Sequence, residues 1–170
     1  TIVIARNLET SALLAWQQNP GDLSLKKIYN EMKLQTRNAI RTEIKNALAT
    51  YSYQDAINLL IPNYSEFELN LAFAIRIQEG NFTAAANLLS TMPTNNQNEI
   101  WHKQIQAINL ERAQLGSNYI LNNEKDQLLT QIMNSNSSER SFARSLLALL
   151  KGGSYAFDVF SIILILFKIF

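Results

Sequence analysis

A short pattern occurs twice in this chain, and it limits the folds available more than any other feature. Tyr53-Gln-Asp-Ala-Ile-Asn-Leu-Leu60 returns as Phe82-Thr-Ala-Ala-Ala-Asn-Leu-Leu89, 29 residues later, with Ala, Asn, Leu and Leu identical and an aromatic residue leading each copy. Pro62 and Pro93 follow the two copies. A fainter echo, Phe142-Ala143-Arg-Ser-Leu146-Leu147, lies twice that offset further on, while the slot near Gln114 carries none. A period of this size is that of stacked helix pairs, because one pair cannot bury its apolar face alone.

Composition supports helices throughout. The 170 residues include only five Gly and three Pro, nearly all where a helix should stop, and this scarcity of breakers favours an all-α chain. With 47% apolar and 17% charged residues the chain is globular. The absence of cysteine removes disulfides, thiolate metal ligands and a thiol nucleophile together. A net charge of +1 argues against a general polyanion binder.

Along the chain, the β-branched run Thr1-Ile-Val-Ile4 precedes Asn7, which is placed to cap a first helix with Leu8, Leu13, Leu14 and Trp16 on its apolar side. Asn19-Pro20-Gly21 ends it. Asp22 then caps a long helix in which Ile28, Met32, Ile40, Ile44, Ala47, Leu48 and Tyr51 recur at threes and fours. Ser52 is placed to cap the first repeat copy. Ser65-Glu-Phe-Glu68 reads as a capping box opening a helix that runs to Gly80, a residue suited to a left-handed stop. Phe82 to Thr91 returns, Ile100 to Leu115 forms a helix ending at Gly116, and two shorter helices span about 123–134 and 138–150. The expected architecture is therefore six to eight helices in antiparallel hairpins, with Ala56 and Ala85 at close contacts and Leu60 and Leu89 buried.

Residues 1–158 read as a helical-hairpin domain and 159–170 as an apolar C-terminal tail. That tail falls short of the roughly 20 residues a membrane helix needs, so membrane contact is a minor reading. Docking on Leu146, Leu149 and Leu150, with Gly152-Gly153 as the turn, is the expected arrangement. The chain begins with Thr1 and reads as cut or processed from a longer protein.

Gly80-Asn-Phe82, Ala85 and Leu89 match the turn and second-helix positions of a tetratricopeptide unit, whereas Phe73 stands where its first helix has a small residue. Together with Tyr53 to Leu60 and Phe142-Ala-Arg-Ser-Leu-Leu-Ala-Leu-Leu-Lys-Gly-Gly-Ser-Tyr155, this order resembles a tetratricopeptide-like helical spacer of large secreted Bacteroidetes-type surface proteins, upstream of a sorting domain for type IX secretion. The resemblance covers roughly residues 22–158 and departs at the apolar tail. It implies a right-handed superhelical stack of hairpins, an extracellular or cell-surface location, and a supporting role for flanking regions. It brings no catalytic residues.

Lys33, Arg37, Arg41 and Lys45 fall at strict fours on the long helix, a stripe suited to an acidic partner, although a solvated face is the commoner meaning of such charge. Acids at 51–100 are placed to face it across a hairpin. His102 is the only histidine, and without companion ligands or a marked nucleophile it is expected to be structural, with a small stability effect on replacement. Glu66 with Glu68, or Glu111 with Asp126, are the carboxylate pairs to weigh for hydrolysis, and capping explains Glu68 more simply. Asn63, Asn81 and Asn136 begin glycosylation triplets, which chance supplies in an Asn-rich chain.

No cofactor or metal is expected, and the sequence points to a non-catalytic scaffold or protein-interaction segment of a larger secreted or surface protein. Its partners would be a protein or flanking domains of the same chain, not nucleic acid. A peptide- or acidic-partner-binding repeat domain using the stripe comes second, and an all-α hydrolase is remote. A cytoplasmic location is the alternative to the cell surface.

Overall fold

The computed structural model describes residues 1–50, 52–60 and 65–152. Among these there are eight α-helices and no strand: α1 (Ile2–Gln18), α2 (Leu23–Ala49), α3 (Tyr53–Asn58), α4 (Glu66–Glu79), α5 (Phe82–Thr91), α6 (Gln97–Leu115), α7 (Asn123–Met133) and α8 (Arg140–Lys151), with a 3-10 turn at Gly116–Asn118. No helix among the described residues is long and apolar enough to cross a membrane. The chain divides into two compact units, Thr1–Ile61 and Pro62–Phe170. The expectations for Tyr51, Asn63 and the apolar tail lie outside the described residues.

In the first unit α2 packs against both α1 and α3. α1 starts at Ile2 rather than after Asn7, which lies inside the helix and accepts a hydrogen bond from Ser11 Oγ through its carbonyl. Ile2 is buried, and that burial carries the helix back through the β-branched run. Leu8 and Leu14 are exposed, contrary to the expected apolar side. By helical projection they flank opposite edges of the face formed by Ile2, Leu13 and Trp16. Asp22 caps α2 as expected, accepting from the amides of Ser24 and Leu25. Ile40 and Ile44 are buried in α2, whereas Ile28 is exposed. Ser52 does not cap α3 through its side chain; its hydroxyl donates to Asp55 instead.

In the second unit α4 packs on α5 across the turn at Gly80–Asn81, α5 on α6, and α6, α7 and α8 on one another. Gly80 has φ of 77°, a left-handed conformation that a side chain would strain. Asn81 caps α5 by accepting from the Ala84 amide, which accounts structurally for the asparagine of that glycosylation triplet. The capping box forms: Ser65 Oγ accepts from the Glu68 amide while Glu68 Oε2 accepts from the Ser65 amide. Ser65→Ala is therefore expected to destabilise the second unit by about 1 kcal/mol, measured by chemical denaturation. No loss would mean that the box contributes nothing to folding.

Two clusters make the core of this unit. Leu69, Phe73, Ala85, Met92 and Leu110 form one around α4 and α5, with Leu88 and Leu89 half-buried at its edge. Ile105, Ile108, Leu129, Ile132, Phe142, Ala143, Leu146 and Leu147 form the other between α6, α7 and α8. Leu146 is thus already engaged inside the unit, and Leu149 and Leu150 pack half-buried beside it. The alanines of the recurring pattern, Ala56, Ala85 and Ala143, are all fully buried, and Leu60 and Leu147 are buried too. Leu89 is less buried than expected.

Candidate functional site

The basic stripe lies on α2. Lys33, Arg37 and Arg41 are half-buried and Lys45 is exposed. Lys33 Nζ sits 5.5 Å from the centre of the Tyr29 ring, Tyr29 stacks on Trp16 of α1 at 5.5 Å and 19°, and Lys26 Nζ lies 5.7 Å from the Trp16 ring. This cation-aromatic ladder fastens the α1–α2 turn, with Trp16 Nε1 donating to the Pro20 carbonyl at 3.2 Å. Arg41 Nη1 donates to Asn38 Oδ1 at 3.2 Å. Burial, and then the neighbouring Arg37 charge, hold the Arg41 guanidinium below its ordinary value. Several acids of the 51–100 segment have local partners. Glu68 is in the capping box, Glu79 Oε2 meets Arg76 Nη1 at 2.6 Å, and Glu99 Oε2 accepts from the Asn95 amide at 2.6 Å.

His102 is the other site that the sequence singled out, and the structure surrounds it more fully than the sequence revealed. It sits on α6 between α4 and the start of α8. His102 Nδ1–H donates to Glu139 Oε2 at 2.7 Å, and Nε2 lies 2.9 Å from Asn70 Oδ1. The Asn70 amide can accept from Nε2–H or, turned over, donate to a bare Nε2, so Nε2 is partnered in either arrangement. The Phe142 ring meets the imidazole edge-on at 5.8 Å. Glu139 stands at the N-cap of α8 and makes no side-chain cap, because its carboxylate is turned to His102 on one oxygen and accepts from Ser138 Oγ on the other. Both ring nitrogens are engaged by helix-to-helix ties, which leaves the imidazole no lone pair directed at a substrate or metal.

The carboxylates weighed for hydrolysis are also tied. Glu111 of α6 accepts from Lys125 Nζ of α7, and that hydrogen bond is the main cause raising the Lys125 ammonium above its ordinary value. On the basic side the tie therefore persists past neutral pH and is lost as the pH climbs through that elevated value. Asp126 meets Lys151 of α8 at 2.6 Å. Glu111 and Asp126 thus belong to different ion pairs. Glu66 is exposed and Glu68 buried in its cap. Among the described residues no group of three His, Asp or Glu side chains is arranged to hold a metal ion.

Asn70 and Glu139 escaped the sequence reading because each lies more than 30 positions from His102, and nothing local marks either. Lys103 escaped it too: its ammonium caps the end of α5, donating to the carbonyls of Ser90 at 2.9 Å and Met92 at 3.1 Å. No family model matches the chain, and neither a curated protein nor a solved structure matches it.

Proposed function

We propose that this chain is a non-catalytic helical scaffold or protein-interaction segment, a tetratricopeptide-like array of antiparallel hairpins in a right-handed superhelical stack. It would serve within a larger secreted or cell-surface bacterial protein. The carrying observation is the burial of Ala56, Ala85 and Ala143, the one small position common to all three copies of the pattern. A repeat requires the same position to face a close helix contact in each unit, since only a small side chain lets the backbones approach there.

The engagement of the other candidate groups supports the same reading. His102, Glu111 and Asp126 each bind a neighbouring helix of the second unit, which is what a rigid support needs of its polar residues. An all-α hydrolase would instead require one of them to face a substrate.

The test is a series. Ala56→Leu, Ala85→Leu and Ala143→Leu should each overpack their contact and cost about 1 to 3 kcal/mol, read from urea melts of each unit. If one is neutral, that position is no equivalent of the other two and the repeat fails. The surface location is tested by protease treatment of intact cells carrying the full-length parent protein, where resistance until lysis would overturn it. The second reading, an acidic partner bound along α2, is favoured by one specific observation: a run of like charges four residues apart.

A further inference from the structure

Helix α1 carries apolar residues on two opposite sides. Ile2, Leu13 and Trp16 lie on its packed face, with Ile2 buried and Trp16 stacked on Tyr29 of α2. Centred about 170° from that face, Ile4, Asn7, Ser11, Leu14 and Gln18 follow one another at alternating steps of three and four, and all five are exposed. Val3 and Leu8 flank this line on its two sides. The exposed fractions of Val3, Ile4, Leu8 and Leu14 are 65%, 60%, 49% and 53%, too many large apolar side chains on one line to be scattered surface residues. Alternation of threes and fours is the seam along which two helices pair, and α1 packs against α2 through the other face.

Charge and order both indicate what covers this seam. Arg6 and Glu9 are the only ionisable side chains of α1, and they project about 120° and 180° from the seam centre, Arg6 donating to the Leu59 carbonyl at 3.0 Å. A seam without charge does not repel a copy of itself. Its order is also the same in both directions: apolar Ile4, polar Asn7, polar Ser11, apolar Leu14. An antiparallel second α1 therefore sets Ile4 on Leu14 and Asn7 on Ser11, each contact made twice, as a two-fold interface requires. The axis passes at the level of position 9, which brings Leu8 beside its own counterpart. Ser11 Oγ donates to the Asn7 carbonyl of its own helix at 2.9 Å, so it is left to accept from the Asn7 amide opposite. A polar pair inside an apolar seam fixes the register.

We infer that α1 is a self-association surface, through which two copies of this chain pair by antiparallel contact of their 4–14 seams. The four apolar side chains leave about 400 Å² open on each copy, and Asn7, Ser11, Ala15 and Gln18 widen it. Two copies together then bury about 1,000 Å², the lower limit for a specific interface, so the dimer is weak and concentration-dependent.

Analytical ultracentrifugation of the full 170-residue protein tests this. The average mass should climb from monomer toward dimer between micromolar and near-millimolar concentration, without weakening as salt rises. Ile4→Glu with Leu8→Glu, both at exposed positions, should weaken association at least tenfold while the circular dichroism melt is retained, whereas Leu23→Glu on α2 should leave it unchanged. The chain has no cysteine, so single replacements report the direction of pairing. Across the two-fold axis, copies of Leu8→Cys lie about 3 Å apart along the helix direction and copies of Leu14→Cys about 15 Å apart, so a short bifunctional thiol reagent should join the first and not the second. If the double variant melts early, the crosslinking decides alone. A monomer at every concentration, a dimer indifferent to the two glutamates, a dimer lost on deleting residues 159–170, or crosslinking through Leu14→Cys would each overturn the proposal. None of those results touches the scaffold reading, which the buried alanine series decides.

Discussion

His102→Ala is expected to destabilise the second unit by about 2 to 4 kcal/mol, a larger effect than an isolated histidine would have. Removing the hydrogen-bond partner of a buried carboxylate costs about 3 to 5 kcal/mol because that charge is left uncompensated. The side chains of His102 and Glu139 retain 15% and 12% of their exposure, and Ser138 Oγ still donates to Glu139 after the change, so the lower part of that range applies. Asn70 would lose its partner as well. The signature to look for is non-additivity. Once His102 is gone, Glu139→Ala should cost little, and the double variant should be more stable than the sum of the single changes by about 1 to 3 kcal/mol. Strict additivity in urea melts would show that the 2.7 Å contact carries no coupling. Any function of the protein, measured where the variant remains folded, should be retained.

Phe73→Ala should have a comparable or greater effect, about 3 to 5 kcal/mol, because Phe73 heads the largest fully buried side chains and its removal leaves a cavity beside Leu69, Met92 and Leu110. Ala85 belongs to the same cluster. Ala85→Leu alone overpacks it, yet in the Phe73→Ala background the new leucine has space to occupy. The double variant is therefore expected to exceed the sum of the two singles by about 1 kcal/mol or more. If the two losses simply add, Phe73 and Ala85 do not share a packing space. A large residue on α4 is thus accommodated in the same cluster as a fully buried small one on α5.

Much of this molecule was legible in local sequence because local physics sets it. The capping box at Ser65, the Asp22 cap and the left-handed glycine at 80 involve groups within four residues of each other, and each forms as its residues dictate. The start of α1 was misread, and the side-chain cap expected of Ser52 at the N-cap of α3 does not form, for a related reason. Capping ability is necessary but not decisive: burial of Ile2 extends α1 past Asn7, and Asp55 takes the Ser52 hydroxyl. The spacing of the stripe on α2 was likewise fixed by the chain, since a helix converts a step of four into a line without further information.

Tertiary structure alone decided what those residues meet. No pattern around His102 announces Asn70 or Glu139, and no spacing links Glu111 to Lys125 or Asp126 to Lys151, because these ties join helices that meet only after packing. The same holds for the seam beside the stripe, where the burial of Thr36, Ile40 and Ile44 shows which edge of α2 is covered. The amino-acid sequence by itself determined where helices form and where small residues recur, through propensity, capping and periodicity. Only the fold decided that the lone imidazole and the carboxylates would act as struts between helices, because a hydrogen bond depends on a separation in space that sequence distance does not encode.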